Sequence, residues 1–409
     1  YEMSASLVGS EMCIRDRVDI NWPLEEIASD QFQIAGGWGG GTFVGSVGVT
    51  LNNLSIKNFF KKGAWRPYPM GQNQRLSISA QTNGTYYKAF AISFTDPWMG
   101  GRKPNSFTIS AHYSDENNAY YAWQKGTRYF RTAGVAAGLG KRLDWPDPYF
   151  TFYAEASYER YMLKDWNTFV LKNGAANLLS IRLVLGRNSV DQPIYPRRGS
   201  DFSVSVQLTP PYSLWDGKDY KSTALSEQER YNWIEFHKWM LKGQWFTPLT
   251  RNGNLVLMAR AEMGYLGHYN KNKVSPFERF EVGGDGMTGY NMYGIDIISM
   301  RGYDDGALDP VGSNYSCAYN KYTMELRYPL LLKGQTNIYV LGFLEGGNGF
   351  TSWKEFSPFK IKRSAGIGVR LFLPVVGMVG VDWGWGFDPA AGQTKRSGSH
   401  IHFTMGMQF

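Results

Sequence analysis

The sequence predicts an all-β chain folded as a transmembrane antiparallel β-barrel. Three observations predict it. Aromatic residues make up 16% of the chain, charged residues only 19%, and glycine supplies 47 of 409 positions, a mixture unlike that of an average soluble domain. Short segments alternate apolar and polar residues with period two for most of the length. No run approaches the ~18 consecutive apolar residues that a membrane helix needs. The best candidate, Leu371 to Trp383, is broken by Pro374, Gly377, Gly380 and Asp382. Mean hydropathy is −0.36, which agrees with a barrel because only every second strand residue faces lipid.

Residues 1–17 show no strand alternation and lack the charged and apolar regions of a signal peptide. The string SLVGSEMCIRDR within them resembles translated sequencing-adapter sequence. Residues 1–17 are therefore expected to be non-native, with the natural amino terminus missing. From residue 31 the strands begin. Leu76, Ile78 and Ala80 alternate with Ser77, Ser79 and Gln81; Ile181, Leu183 and Leu185 alternate with Arg182 and, further along, Arg187. Phe202, Val204, Val206 and Leu208 alternate with Ser203, Ser205 and Gln207, and Leu255, Leu257, Ala259, Ala261, Met263 and Tyr265 with Met258, Arg260 and Glu262. Charges such as Arg260 and Glu262 on one strand face need water, so the inner face is polar and the outer face meets lipid. At a strand-plus-loop length of ~24 residues, positions 31–409 hold on the order of 16 strands.

Other classes have little to stand on. Cys13 and Cys317 allow one disulfide at most and lack the neighbours of a structural zinc site. The net charge of +8 is scattered, with no long basic run, so nucleic acid is not expected as a partner. His400 and His402 share a strand face without an obvious third metal ligand, GLGKR at 138–142 lacks the spacing of a phosphate loop, and no Gly-x-Ser-x-Gly elbow occurs. No catalytic residue, cofactor or metal is expected. A soluble β-sandwich array would also alternate, but its loops would be more even. Here about 55 residues separate Tyr265 from Lys321, and long loops of this kind are usually functional.

That connection carries PFERFEVGGDGMTGY (276–290) and ISMRGYDDGALDP (298–310). Arg301, Gly302 and Tyr303 match the Arg-Gly-aromatic motif of the sixth extracellular loop of the BamA family of outer-membrane protein assembly factors, with Met300 at the usual Val. The resemblance is joined by Phe280, Gly283 and Gly284, by PRRGSDF (196–202) and by NFF (58–60), in order along most of the chain. It implies that the long loop folds back into the barrel lumen. By the same resemblance Glu325, in TMELRYPLL, and Glu345, in FLEGGNGF, are the lumen carboxylates that receive Arg301; Glu345 stands where the family more often has Asp. A guanidinium held by two carboxylates is also a physically sound anchor for a loop in a wet lumen.

The resemblance extends to both ends. VDINWPLEE (18–26) is similar to the end of the last periplasmic POTRA domain, so residues 18–30 are expected to be its remnant and 31–409 the barrel. RSAGIGVRLFLP (363–374) and GMVGVDWGWGFD (377–388) resemble the penultimate strands. The last strand alternates Ile401, Phe403, Met405, Met407 and Phe409 with His402, Thr404, Gly406 and Gln408 and ends on an aromatic, as assembly signals of the outer membrane do; Thr404 does not match the family's small residue. Glycines deprive a strand of side-chain packing and raise its ordering cost. Gly36, Gly37, Gly39, Gly40 and Gly41 in the first strand, with Gly406 and Phe409 in the last, are the expected lateral gate.

The function implied by the resemblance is insertion of β-barrel proteins into the Gram-negative outer membrane by lateral opening and templated strand addition. Implied partners are unfolded outer-membrane β-barrel clients, accessory assembly lipoproteins, periplasmic chaperones and outer-membrane lipid. A TamA-like factor, a two-partner secretion transporter and a passive porin are the alternatives.

Overall fold

A computed structural model of the chain describes residues 31–39, 42–65, 68–101, 103–118, 126–222, 224–285, 295–312, 315–333, 336–373 and 377–405. The segments 1–17 and 18–30 assigned from sequence, and Gly40, Gly41, Gly406 and Phe409 of the expected gate, lie outside the described residues.

Among the described residues, sixteen strands form one sheet. In chain order they are β1 (Gln31–Gly39), β2 (Thr42–Leu54), β3 (Gln74–Thr82), β4 (Tyr87–Asp96), β5 (Asn105–Asn117), β6 (Tyr129–Arg142), β7 (Phe150–Lys164), β8 (Gly174–Asn188), β9 (Gly199–Leu208), β10 (His237–Pro248) and β11 (Val256–Gly267), followed by β14 (Ala318–Lys333), β15 (Thr336–Phe350), β16 (Lys362–Leu373), β17 (Gly377–Pro389) and β18 (Arg396–Met405). Each pairs antiparallel with its neighbour in this order. The two remaining strands, β12 (Arg279–Val282) and β13 (Ile295–Ile298), pair parallel with each other inside the long connection from β11 to β14. That pair was not assigned from the sequence, because four residues, such as the alternating Arg279–Val282, are too few to mark a strand.

The alternation produces two chemically distinct faces. On β17, Val381, Trp383, Trp385 and Phe387 are exposed while Asp382, between them, is fully buried. On β14, Met324, Leu326 and Tyr328 face out, and Lys321, Thr323, Glu325 and Arg327 are buried on the other side. An apolar face this continuous is stable only against lipid, and a face bearing paired charges only against water or polar protein. Arg260 and Glu262 on β11 share the inner face, 3.6 Å apart. No helix among the described residues is long and apolar enough to cross a membrane. The one α-helix among the described residues is the short Glu227–Tyr231, closed at its start by a Ser226–Glu229 capping box, and five residues are too few for helical periodicity to register.

GLGKR lies at the end of β6, as a strand end and not a phosphate loop. Aromatic side chains form the inner core where the long connection meets the sheet. Phe277 stacks on Tyr161 of β7 at 4.3 Å, and Phe280 packs edge-on to Tyr319 of β14 at 4.8 Å.

Candidate functional site at the tip of the long connection

After β13 the chain turns through Arg301-Gly302-Tyr303 against the inner face of β14 to β18. The turn requires φ of +84° at Gly302, a region that side-chain-bearing residues rarely adopt. A Cβ there would lie 2.8 Å from the Ser364 Cβ and 3.0 Å from the Gly386 nitrogen. Gly384 and Gly386 of β17 provide the complementary space: a Cβ on Gly384 would lie 2.8 Å from the Gly302 nitrogen. The glycines of the GWGWGF stretch therefore let two backbones meet.

Arg301 points into a cluster of carboxylates. Its Nη2 donates to Glu325 Oε1 and to Glu345 Oε1, each at 2.7 Å, and its Nε donates to Glu345 Oε1 at 3.1 Å. The Arg301 backbone N–H donates to Glu345 Oε2 at 2.8 Å, and the guanidinium lies 3.7 Å from the Phe343 ring centroid. Asp382 Oδ2 is 3.6 Å from Nη1. The longer reach of Glu345 compared with Asp lets one carboxylate hold both the backbone and the side chain of Arg301. Burial alone would lower the guanidinium's affinity for its proton; Glu345 and Glu325 more than reverse this and raise it.

The carboxylates are themselves held. Arg327 donates to Glu325 Oε2 through Nε at 2.9 Å and Nη2 at 2.7 Å, and Arg370 binds Asp382 in a fork at 2.8 and 2.7 Å. Lys321 Nζ lies 3.8 Å from Glu345, whose Oε1 also accepts from the Thr323 hydroxyl at 3.2 Å. Each buried charge thus has an opposite partner, the condition under which burial is tolerated.

The tip is also tied to later strands. The Gly302 N–H donates to His402 Nε2 on β18 at 2.8 Å, which requires the ring proton on Nδ1. The Tyr303 hydroxyl donates to the Arg363 carbonyl on β16 at 2.8 Å. At the other end of the connection, Lys238 of β10 lies 2.7 Å from Glu278 and 2.6 Å from Asp296.

The structure therefore brings Arg301, Gly302 and Tyr303 together with Glu325 and Glu345. Gly36, Gly37 and Gly39 lie in β1, opposite Gly45, Val44 and Thr42 of β2, far along the sheet order from this cluster. Sequence reasoning missed Arg327, Arg370, Asp382 and the role of His402. A signal existed for two of them: Asp382 and His402 alternate with outward Val381, Trp383, Ile401 and Phe403, so strand parity already placed them inward.

Sixteen antiparallel strands with an apolar outer face and a buried, ion-paired inner face define a membrane protein that spans with strands. The chain belongs to the Omp85 superfamily, whose domain model matches residues 70–409. It is 23% identical over 334 residues to the outer membrane protein assembly factor BamA of Neisseria meningitidis serogroup B, an alignment covering 76% of this chain. The chain spans about a third of that relative's length, 34%. In fold it is similar to BamA from Haemophilus ducreyi lacking POTRA domains 1–3, with a TM-score of 0.61 and 17% identity over 92% of this chain and 68% of that one. CdiB from Escherichia coli is also similar, with a TM-score of 0.55 and 12% identity over 93% of this chain and 63% of that one.

Proposed function

We propose that the sheet closes as a barrel around the long connection and acts as an insertase for outer-membrane β-barrel proteins, opening laterally between β1 and β18. Strongly twisted open sheets rarely exceed ~10 strands without curling, and this one has sixteen. The same connection touches Tyr161 on β7 and His402 on β18, nine places apart in the strand order, which favours a wall curled around it.

The observation that carries the functional reading is the anchoring of Arg301-Gly302 across β14, β15 and β18, next to the end of the sheet. An anchored tip braces the wall up to the last strand and leaves the glycine-rich β1 as the weak side of the seam. When the seam parts, free backbone N–H and C=O groups in lipid are costly unless an incoming strand pairs with them, so the open edge templates strand addition. No covalent step is needed. Clients are unfolded β-barrel chains rich in alternating strands, with accessory lipoproteins and periplasmic chaperones as delivery partners.

A two-partner secretion transporter is the second reading, favoured by the fold similarity to CdiB. Reconstitution separates them. The protein in liposomes, given a urea-denatured client barrel, is expected to raise the fraction of client that acquires heat-modifiable gel mobility above that of empty liposomes. Equal fractions, together with steady large conductance in a planar bilayer, would favour a transport pore.

A further inference from the structure

A second bond from the long connection reaches the last strand beside the first. Asp285 Oδ2 accepts from the Phe403 backbone N–H at 3.3 Å, one residue along from the His402 ring that accepts from Gly302. Among the described residues, the ladder partners of β18 all lie on β17. The strand at the end of a sheet order presents backbone donors and acceptors that a further strand can use. An ionised carboxylate is a stronger acceptor for such a donor than the neutral carbonyl of a neighbouring strand.

Asp285 is placed by the same motif that carries Arg301. The Met300 N–H donates to the Gly284 carbonyl at 2.8 Å, so the residue before Asp285 and the residue before Arg301 are bonded to each other. Anchoring of Arg301 on Glu325 and Glu345 consequently holds Asp285 at the edge of β18. Release of one would carry the other away.

We infer that Asp285 is a built-in competitor for the free edge of β18: its carboxylate takes the Phe403 donor until an extended, alternating apolar–polar polypeptide strand displaces it. The identity of the displacing strand as a client rests on the insertase reading; the competition at Phe403 does not. The ligand class is fixed by the chemistry of the edge, which recognises backbone carbonyls at strand spacing and accepts apolar side chains beside the exposed Ile401 and Phe403.

The test uses the protein in lipid nanodiscs with a photocrosslinking amino acid at position 401. The probe is a biotinylated ten-residue peptide alternating apolar and polar residues and ending in Phe. Asp285→Ala is expected to increase both deuterium uptake at the Phe403 amide and peptide capture by about fivefold, the factor that corresponds to one hydrogen bond. Asp285→Asn, which keeps a neutral acceptor of the same size, is expected to give a smaller rise in both. Where Asp285→Ala lacks the heat-dependent gel shift of a folded barrel, Asp285→Asn carries the test. Unchanged uptake and capture overturn the inference, and so does raised uptake without raised capture. Raised capture in a protein that inserts no more client barrel than empty liposomes do keeps the competitor and removes the insertase reading.

Discussion

The Gly302 N–H donates to His402 Nε2 at 2.8 Å, across 100 residues of chain, and so joins the tip of the long connection to the last strand. The bond exists because Gly384 and Gly386 leave the inner face of β17 bare where Gly302 lies on it. His402 acts as an acceptor here, while the neighbouring His400 Nδ1 lies 3.2 Å from Asp304 of the same connection.

Filling that bare strip should lift the tip. A Cβ on Gly386 would lie 2.3 Å from the Gly302 carbonyl oxygen, a backbone atom that cannot swing aside. Gly386→Ala is expected to destabilise the seated connection by about 1–3 kcal/mol, the usual cost of overpacking. Limited proteolysis within 268–317 should accelerate while the heat-dependent gel shift persists. Cleavage at the original rate would show that the contact is not tight.

Removing the anchor should act more strongly. Arg301→Ala leaves Glu325, Glu345 and Asp382 without a shared cation, and breaking a buried pair costs about 3–5 kcal/mol. Arg301→Lys keeps the charge but not the fork that bridges two carboxylates, and is expected to fall between. Protease sensitivity of the connection is the readout, and indistinguishable rates in all three proteins would remove the anchor role.

The connection should also loosen as pH rises. Burial pushes the Asp309 carboxyl up to about 8, against the opposing bonds from the Ser316 hydroxyl and the Val282 N–H. Burial likewise pushes Glu278 up to about 7, although Lys238 opposes it. Both values lie above the ~3.9 and ~4.3 of unfolded carboxyls, so the seated connection binds these protons more tightly than the free one. Their stabilising contribution is fully present below about pH 4, is lost as pH rises toward 7 and 8, and changes no further above that. Deuterium uptake in 277–285 and 295–312, corrected for the intrinsic rate, is expected to rise from pH 5 to pH 8.5. Asp309→Asn should flatten the upper part of that rise, and a flat profile in the unaltered protein would contradict the account.

Strand alternation made the sheet legible, because period two survives wherever one face meets lipid and the other does not. The on-the-order-of-16 strand count corresponds to the sixteen strands of the sheet. Arg301, Glu325 and Glu345 were legible through motif resemblance. The pairings of Arg327 with Glu325 and of Arg370 with Asp382 were not, because parity places a residue such as Asp382 on the inner face but partners across β14 to β17 depend on register, which alternation alone does not give. The parallel β12–β13 pair was hidden for another reason. Arg279–Val282 does alternate, but four residues of alternation are too short to be told from chance.

The central claim is that β1 and β18 part during insertion, and a disulfide across that seam tests it most directly. With Cys13 and Cys317 replaced, single cysteines along 33–39 combined with single cysteines along 402–408 should include a register with Cα atoms ~5.5 Å apart that crosslinks. The crosslinked protein is expected to keep its heat-dependent gel shift, to lose insertion of client barrels, and to regain it on reduction. Efficient crosslinking that leaves client insertion at the uncrosslinked rate would contradict lateral opening in this protein.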